Sequence, residues 1–397
     1  MVCLLCLGKT RRKDAERMRI VNLTTSLAVA LLFPACGGPA AEEPSQLAIR
    51  SGELSSAPAA SLAALADLEP QSVGSWSLTG DLTSAHSGHT ATLLSSGKVL
   101  VVSGTTAEVF NPYSNVSVAT GSPYWARTQH TATRLESGNV LVAGGWIGKF
   151  PLYWRHSAEV YDKKTGTWSS ADSMSVPRGN HTATLLGSDK VLVVGGDTTD
   201  GLNPEVSLQT DSVDLYDPAT NTWSPAASIF MPRAGHTATL LYSGEVLVTG
   251  GRFFDWVLQD AQVYDPDTDN WSMPAPMPRA RTGHVAVRLN SGKVMVLGGG
   301  HDEVDFYDPY SSTTPWTTGP SLPSGGTAIS ATRLYSGEVL VTHSTGQASL
   351  YDPATDAWLS AGTLPAPVSA HAATLLHTGQ VLVTGGSSGA TVQRYTR

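Results

Sequence analysis

Residues 235–251 read GHTATLLYSGEVLVTGG, and this string decides the fold because it recurs along the chain. Each copy has two apolar stretches joined by a tight polar turn, which is typical of a β-hairpin. Further copies begin at residues 88, 129, 180, 283 and 370, and a degenerate copy begins at 328. Seven copies whose starts lie 41 to 55 residues apart indicate a repeat architecture.

Each hairpin is followed by two more short strand patterns. The third strand ends in Tyr-Asp, as in AEVYD at 158–162 and VDLYD at 213–217, and the fourth carries Trp168 or Trp223. Four strands per repeat predict a propeller blade and not a coil of a solenoid. Because these residues recur from blade to blade, we expect the tryptophans to fill the gaps between sheets and the repeated histidines to be buried.

The spacing of the tryptophans also predicts how the ring closes. Trp76 lies 13 residues before His89, the same spacing as Trp168 to His181, yet no repeat precedes it. The last copy ends at Tyr395 without a tryptophan strand. The segment around Trp76 is therefore predicted to form the fourth strand of blade seven, which removes the exposed sheet edges. The predicted fold class is an all-β, seven-bladed β-propeller spanning residues 71–397.

An early histidine, a double glycine that ends the second strand, and then Tyr and Trp form a pattern that resembles the kelch-repeat family. The resemblance covers about residues 71–397. Within that family the chain looks like bacterial kelch-repeat lipoproteins, and it is more distantly similar to the propellers of galactose oxidase and sialic-acid mutarotase. The copper site of galactose oxidase needs a cysteine-crosslinked tyrosine, and this propeller has no cysteine. We predict no cofactor and no metal.

The N-terminal part of the chain is typical of a secreted protein. Residues 1–35 contain an apolar run from Leu27 to Phe33 and are interpreted as a signal peptide, with Met18 as a possible true start. The segment ending at Cys36 resembles the lipobox of bacterial lipoproteins, which implies lipidation of that cysteine. The alternative is an ordinary signal followed by a chance cysteine. Residues 36–70 are predicted to be a flexible tether.

These features predict a bacterial cell-envelope location, as an outer-membrane lipoprotein or a secreted protein. The membrane would be contacted only through the lipid anchor, and we expect a monomer. The chain has a formal net charge of −8, and an acidic surface repels phosphate backbones, so nucleic-acid binding is not expected. Charged residues make up only 15% of the chain beside 39 Gly and 24 Pro, which favours an all-β protein.

The stretch between the double glycine and the tyrosine varies most in length, and it is longest in blades two, three and four. In an up-and-down blade these connections all open on one face, where a rigid scaffold carries its function. Exposed aromatic side chains mark binding sites, and the alternative is that the loops pack on one another without a ligand. The candidate ligand-binding residues are Trp146, Phe150, Tyr153, Trp154 and Arg155 in blade two, and Phe253, Phe254 and Trp256 in blade four.

Four arginines, each three residues before a repeat histidine, form a second candidate group. They are expected near the mouth of the central channel, where guanidinium groups clamp anions. The alternative is ion pairing with acidic groups on nearby strands or loops. The four are Arg127, Arg178, Arg233 and Arg281.

The sequence therefore predicts a non-catalytic binding module that recognises a glycan or protein partner through one loop face. It contains no HExxH, GxSxG, CxxC or Walker-type motif, and no catalytic residue is assigned. The alternative is a mutarotase- or epimerase-like enzyme acting on an acidic sugar, with the four arginines binding the carboxylate. In that case Glu159, Asp197, Asp255 and His301 are candidates for acid–base chemistry. A purely scaffolding role without a ligand is the third possibility.

Overall fold

The computed structural model describes residues 73–86, 88–147, 153–200, 203–323, 327–366, 369–386 and 389–397. The predicted signal peptide, the lipidation site Cys36, the tether and Phe150 lie outside the described residues. Within the described ranges, no helix is long and apolar enough to cross a membrane.

Seven four-stranded antiparallel sheets form the seven blades. The first strand of the chain is β1 (Ser75–Leu78). Blade one contains β2 (Thr90–Leu93), β3 (Val99–Ser103), β4 (Thr106–Asn111) and β5 (Val116–Ala119). Blade two contains β6 (Thr131–Arg134), β7 (Val140–Ala143), β8 (Ala158–Asp162) and β9 (Thr167–Ala171). Blade three contains β10 (Thr182–Leu185), β11 (Val191–Val194), β14 (Val213–Asp217) and β15 (Thr222–Ala226), with a hairpin of β12 (Asp197–Asp200) and β13 (Asn203–Gln209).

The remaining blades follow the same order. Blade four contains β16 (Thr237–Leu240), β17 (Val246–Thr249), β20 (Ala261–Asp265) and β21 (Asn270–Ser272), with a hairpin of β18 (Arg252–Phe253) and β19 (Trp256–Val257). Blade five contains β22 (His284–Arg288), β23 (Val294–Gly298), β24 (Asp305–Tyr307) and β25 (Trp316–Thr318). Blade six contains β26 (Ala328–Arg333), β27 (Val339–His343), β28 (Gln347–Asp352) and β29 (Ala357–Thr363). Blade seven contains β30 (Ala372–Leu375), β31 (Val381–Thr384) and β32 (Val392–Thr396), paired with β1.

The second strand of each blade forms the centre of the protein core. Its Val-Leu-Val pattern is buried on both faces, since every residue of β7, β11, β17 and β31 is buried. Seven apolar clusters result, one between each pair of neighbouring blades. In the cluster between blades three and four, Leu192 and Val194 pack against Val246 and Val248. The ring is therefore held by apolar contact between sheets.

In five of the blades, the tryptophan of the fourth strand hydrogen-bonds the backbone of the preceding blade. Trp271 lies opposite Tyr264, with the ring centroids 5.1 Å apart, and its indole Nε1 donates to the Ala227 carbonyl of blade three at 2.7 Å. Trp316 donates in the same way to the Ala275 carbonyl of blade four at 2.8 Å. The amphipathic indole therefore packs between two blades while its N–H is satisfied by a neighbour's backbone.

The predicted ring closure is confirmed. Strand β1 pairs with β32 and places Trp76 opposite Tyr395. The Trp76 indole donates to the Ala361 carbonyl of blade six at 2.8 Å, and the Tyr395 hydroxyl donates to the Val73 carbonyl at 2.5 Å. An N-terminal strand thus completes the last blade, and the propeller has seven blades with the two ends of the ring joined.

Trp76→Ala is expected to lower the free energy of unfolding by about 2 kcal/mol, because a half-buried indole and one interblade hydrogen bond are lost. Trp271→Ala, which removes the same contacts from the middle of the chain, should cost a similar amount. Denaturant unfolding monitored by circular dichroism measures both variants. An unchanged free energy for Trp76→Ala beside a destabilised Trp271→Ala would show that β1 does not contribute to the closed ring.

Candidate binding face

The loop face is the end of the propeller that carries the connections between second and third strands and the connections between blades. In blade two the first kind of connection is residues 144–157, in blade three it contains the β12–β13 hairpin, and in blade four the β18–β19 hairpin. The long connection of blade three thus contains a two-stranded antiparallel hairpin. The opposite face carries the short turns that join strands one to two and three to four.

The four arginines that precede repeat histidines are buried. Arg178 has no exposed surface and donates to the carbonyls of Gly195 at 3.0 Å and Ser212 at 2.8 Å and to Asp214 Oδ2 at 2.6 Å. Burial lowers its pKa to about 10 while Asp214 opposes the change, so the group stays charged at neutral pH. The other three pairs are Arg127 with Glu159 at 2.6 Å, Arg233 with Asp260 at 2.5 Å and Arg281 with Asp305 at 2.8 Å.

These contacts decide what the arginines do in this structure. A buried guanidinium is tolerated only where a carboxylate and further acceptors satisfy it, and each of the four has them. With no exposed surface, the groups do not meet solvent at the channel mouth. The four arginines therefore form ion pairs with nearby acidic side chains and are not placed to bind an anionic ligand.

The residue two positions before the repeat tyrosine is buried and polar in all seven blades, a feature that the sequence analysis missed. In five of the seven described positions the side chain accepts the backbone N–H of an interblade loop; for example, Glu159 Oε1 accepts from Tyr124 N at 2.6 Å, and Gln262 Oε1 accepts from Phe230 N at 3.0 Å. In the sequence, a polar residue within the otherwise apolar third strand could have indicated this contact. The seven residues are Glu108, Glu159, Asp214, Gln262, Asp305, Ser349 and Gln393.

Blade one performs the same task with different residues. His86 stands three residues before His89, where blades two to five have arginine, and its Nε2 hydrogen-bonds Glu108. Ser117, found where a tryptophan is expected, donates to the same carboxylate. Burial raises the pKa of Glu108, but hydrogen bonds from His86, Ser117 and the Thr83 amide outweigh it and lower the pKa to about 2. Glu108 is therefore ionised at neutral pH.

Holding the interblade loops by their backbone directs large aromatic side chains into solvent. Tyr124 is 78% exposed and Phe230 is 72% exposed, and both lie three residues before a buried arginine. Neither residue was among the predicted set, although an aromatic three residues before two of the four arginines is visible in the sequence. Trp256, which was selected, is 71% exposed on its hairpin. The loop face therefore presents more aromatic surface than the predicted set alone.

In blade two the predicted aromatics divide into packed and exposed groups. Trp154 is half-buried and lies flat against Gly179, so close that a Cβ there would be 2.3 Å from its Cζ3. Its ring centroid is 6.4 Å from that of Trp146, and the two residues form a β-bridge. Tyr153 is 50% exposed and lines a cleft of about 580 Å³ together with Trp125. Trp146 and Trp154 thus pack on one another, whereas Tyr153 is exposed to solvent.

In blade four the hairpin places a second aromatic group on the loop face. Phe253 and Phe254 pack edge to face with centroids 4.6 Å apart, and Phe254 adopts a φ of 50° at the turn. Left-handed backbone is unfavourable for a bulky residue, so the turn needs support from its surroundings. Trp256 borders a mainly apolar cleft of about 400 Å³ with Phe230 and Met273, all three exposed.

That support comes from blade three. Asp197 is buried and accepts two hydrogen bonds from Arg252 Nη2, at 2.7 and 2.8 Å, and one from Gln209 Nε2 at 2.9 Å. Gln209 Oε1 in turn accepts the Phe254 amide at 2.8 Å. Asp197 therefore braces the two hairpins, and Glu159 is occupied in the same way beneath blade two. Of the other acid–base candidates, Asp255 is exposed in the turn, and His301 Nε2 donates to the Ala280 carbonyl at 3.1 Å.

The repeat histidines are buried and link neighbouring blades, as expected. Nε2 of His130 is 3.0 Å from the Thr90 hydroxyl of blade one, and Nε2 of His181 is 2.9 Å from the Thr131 hydroxyl of blade two. Burial lowers the pKa of His130 to about 3, so the ring is neutral at physiological pH. Corresponding bonds are His236 to Thr182, His284 to Thr237, His371 to Thr342 and His89 to Thr384.

Comparison with known proteins agrees with this architecture. Residues 113–300 match a family model described as the KLHDC2/KLHL20/DRC7 kelch-repeats domain. An F-box/kelch-repeat protein of Arabidopsis thaliana is 31% identical over 100 residues, which are 23% of this chain and 20% of that protein. The matched part thus spans about a fifth of that relative's length.

Two solved structures share the fold at low sequence identity. A fungal alcohol oxidase of the AA5 family, in complex with copper, superposes with a TM-score of 0.66 at 16% identity, covering 82% of this chain and 76% of that chain. The structure of YjhT superposes with a TM-score of 0.54 at 16% identity, covering 67% of this chain and 93% of that chain. At this level of identity the likeness concerns the fold alone, because one fold hosts many functions.

Proposed function

We propose that this chain, which carries a kelch-repeat β-propeller domain, is a non-catalytic binding module of the bacterial cell envelope. Its loop face over blades two to four would recognise a glycan or protein partner. The signal-like segment and Cys36 support a tethered location, since a lipidated cysteine would hold the propeller at the membrane surface through residues 36–70.

One observation carries the proposal: large aromatic side chains are exposed on loops whose backbone is held rigid from below. Tyr124, Tyr153, Phe230 and Trp256 are each at least half exposed. Binding energy in protein interfaces concentrates in such aromatic residues, and a rigid support lowers the entropy lost on binding. Braces such as the Asp197–Arg252 pair supply that rigidity without using the exposed rings.

The enzyme alternative receives less support from the same geometry. It requires arginines that bind a substrate carboxylate, and the four proposed for that role are buried and already paired. It also requires acid–base groups that reach substrate, and Glu159 and Asp197 are both held in structural hydrogen bonds. A binding role needs only the exposed surface that is present.

The double variant Tyr153→Ala/Trp256→Ala tests the proposal. Wild-type protein is screened on arrays of glycans and envelope proteins, and the double variant is then titrated against each bound partner. We expect affinity to fall at least about tenfold, because hot-spot aromatics contribute more than 1 kcal/mol each. The thermal midpoint should not change, since both side chains are largely in solvent.

The matched control is Tyr310→Ala/Tyr335→Ala, which removes two exposed tyrosines from the opposite face. These residues are 68% and 65% exposed and lie in turns of blades five and six. The control should bind as wild type does. Equal loss in both double variants, or no loss in the loop-face variant, would mean that the partner binds elsewhere and the proposal is wrong.

A further inference from the structure

We infer that the blade-two cleft binds a saccharide that carries a carboxylate on its ring, a uronic acid residue. The blade-two cleft is the cavity of about 580 Å³ lined by Trp125, Tyr153, Arg155, His156, Ser170 and Ser173, among others. The inference rests on the proposed function and names the ligand of one part of the loop face. The volume of the blade-two cleft falls within the range of small-molecule binding sites.

The cleft contains a cation, Arg155, that has no carboxylate partner among the described residues. The Arg155 guanidinium lies over the Trp125 ring, 4.5 Å from the centroid, and no hydrogen bond joins it to a carboxylate among the described residues. Its Nε is buried and has no hydrogen-bond partner among the described residues, and this burial lowers the pKa of the group. A partly desolvated guanidinium without a counter-ion favours an incoming carboxylate, which it can bind through two parallel hydrogen bonds.

The nearby carboxylate does not neutralise this charge. Glu159 acts on Arg155 electrostatically, but its oxygens already accept from Arg127 Nη2 at 2.6 Å and from the amides of Tyr124 at 2.6 Å and Trp125 at 3.3 Å. The charges of Arg127 and Glu159 thus cancel, and the charge of Arg155 leaves this group of three side chains with a net charge of one positive unit. Among the described residues that line the cleft there is no aspartate or glutamate.

The walls of the cleft combine aromatic and apolar surface with polar groups. Tyr153 and Trp125 present partly exposed ring surface, and Ile147 adds apolar wall. Sugar rings offer apolar C–H faces that pack on aromatic rings and hydroxyls that hydrogen-bond to polar groups. The Ser173 hydroxyl and the exposed His156 ring line the same cavity, and Ser170, whose hydroxyl donates to the Ala171 carbonyl, can still accept there. Aromatic walls, hydroxyls and one cation together fit an acidic sugar better than a neutral one.

The blade-four cleft provides the contrast. It is lined by Phe230, Met231, Trp256, Met273 and Asp260, so its only charged lining residue among the described ones is an acid, which is paired with Arg233. The chain as a whole carries a net charge of −8. An anionic saccharide is therefore repelled by most of the surface and attracted at blade two, which predicts binding there that weakens as salt is added.

The test is calorimetric titration of the full chain with tri-galacturonate and with a neutral galactose trisaccharide of equal length. We expect tri-galacturonate to bind at least about tenfold more tightly, and Arg155→Gln to remove that preference. Tyr153→Ala should weaken binding of both probes. Arg134→Gln, which removes an exposed arginine from the first strand of the same blade, should leave both affinities unchanged. Raising the salt from low to high concentration should weaken only the acidic probe.

Three outcomes would overturn the inference. Equal affinity of wild type for the two probes, with both lost in Tyr153→Ala, would reject the acidic ligand while the binding function stands. Acidic binding that survives Arg155→Gln would place the site elsewhere. Absence of binding of both probes would reject a saccharide in this cleft, and the array experiment with the double variant Tyr153→Ala/Trp256→Ala then decides the binding function independently. If Arg155→Gln does not fold, the wild-type preference and its salt dependence decide.

Discussion

Acidification from pH 7 to pH 4 is expected to unfold the propeller, because six buried histidines cannot take up protons while the blades stay together. Burial is the main cause in every case, with neighbouring charged groups adding to it. The pKa is lowered to about 3 in His130, His236 and His284, to about 4 in His89 and His371, and well below its usual value in His181.

The sign follows from the proton balance. An unfolded histidine titrates near pH 6.5, so between pH 6.5 and 4 the unfolded chain binds more protons than the folded one. Stability is fully present above pH 6.5 and is lost as the pH falls toward the folded pKa values. Each histidine contributes about 1.4 kcal/mol per pH unit across this window, and up to six act together. Six such sites together lose about 8 kcal/mol per pH unit, so over two pH units the loss exceeds the roughly 5–15 kcal/mol by which an ordinary domain is stable.

Guanidinium unfolding at several pH values between 7.5 and 4.5 measures the slope. His236→Gln should reduce the slope by one proton, because one site of differential protonation is gone. His377→Gln is the matched control: His377 is exposed in a turn of blade seven, and its replacement should leave the slope unchanged. A free energy of unfolding that stays flat between pH 6.5 and 4.5 would show that the six rings are accessible to protons in the folded state.

Arg178→Met is expected to destabilise the propeller by about 3–5 kcal/mol, because it leaves Asp214 as an unpaired buried carboxylate. The same change removes donors from the Gly195 and Ser212 carbonyls. Lys190→Met is the surface control: its pair with Asp217 is 3.4 Å long and partly exposed, so the loss should be at most about 1 kcal/mol. Denaturant midpoints of the two variants and the wild type give the comparison.

A double substitution distinguishes the loss of the Arg178–Asp214 ion pair from the loss of side-chain packing. Arg178→Met/Asp214→Leu removes both charges, and we expect it to recover part of the stability that the single change loses, since no buried charge is left without a partner. If Arg178→Met costs no more than Lys190→Met, the guanidinium must be solvated in solution. The four arginines would then be available for an anion, and the enzyme alternative would regain its substrate-binding groups.

The architecture was predictable because its signals are local and repeated. The hairpin of residues 235–251 occurs seven times in phase, and each copy needs only its own turn and apolar alternation to be recognised. The closure by Trp76 followed from one spacing, since a lone fourth strand before the first blade matches a last blade that lacks one. Strand patterns of this kind depend on residues within a few positions, so the sequence contains the whole signal.

The candidate site was predictable only as a region. Chain length between strands identified the loops of blades two to four, but it did not distinguish Trp154 from its neighbour Tyr153. The first packs on Gly179 and the second faces solvent, and that difference depends on how closely the next blade approaches. Tyr124 and Phe230 were missed because their exposure depends on buried acceptors that lie 35 and 32 residues further along the chain.

By itself the sequence determined the all-β class, the number of blades, the closing strand and the face that carries the long loops. Only the tertiary structure decided that the four arginines are buried in ion pairs and that Arg155 lies over Trp125 without a carboxylate partner among the described residues. The physical reason is the range of the interactions. Hairpins and strand alternation are short-range properties of the chain, whereas the charge state and exposure of a side chain depend on residues from other strands and blades.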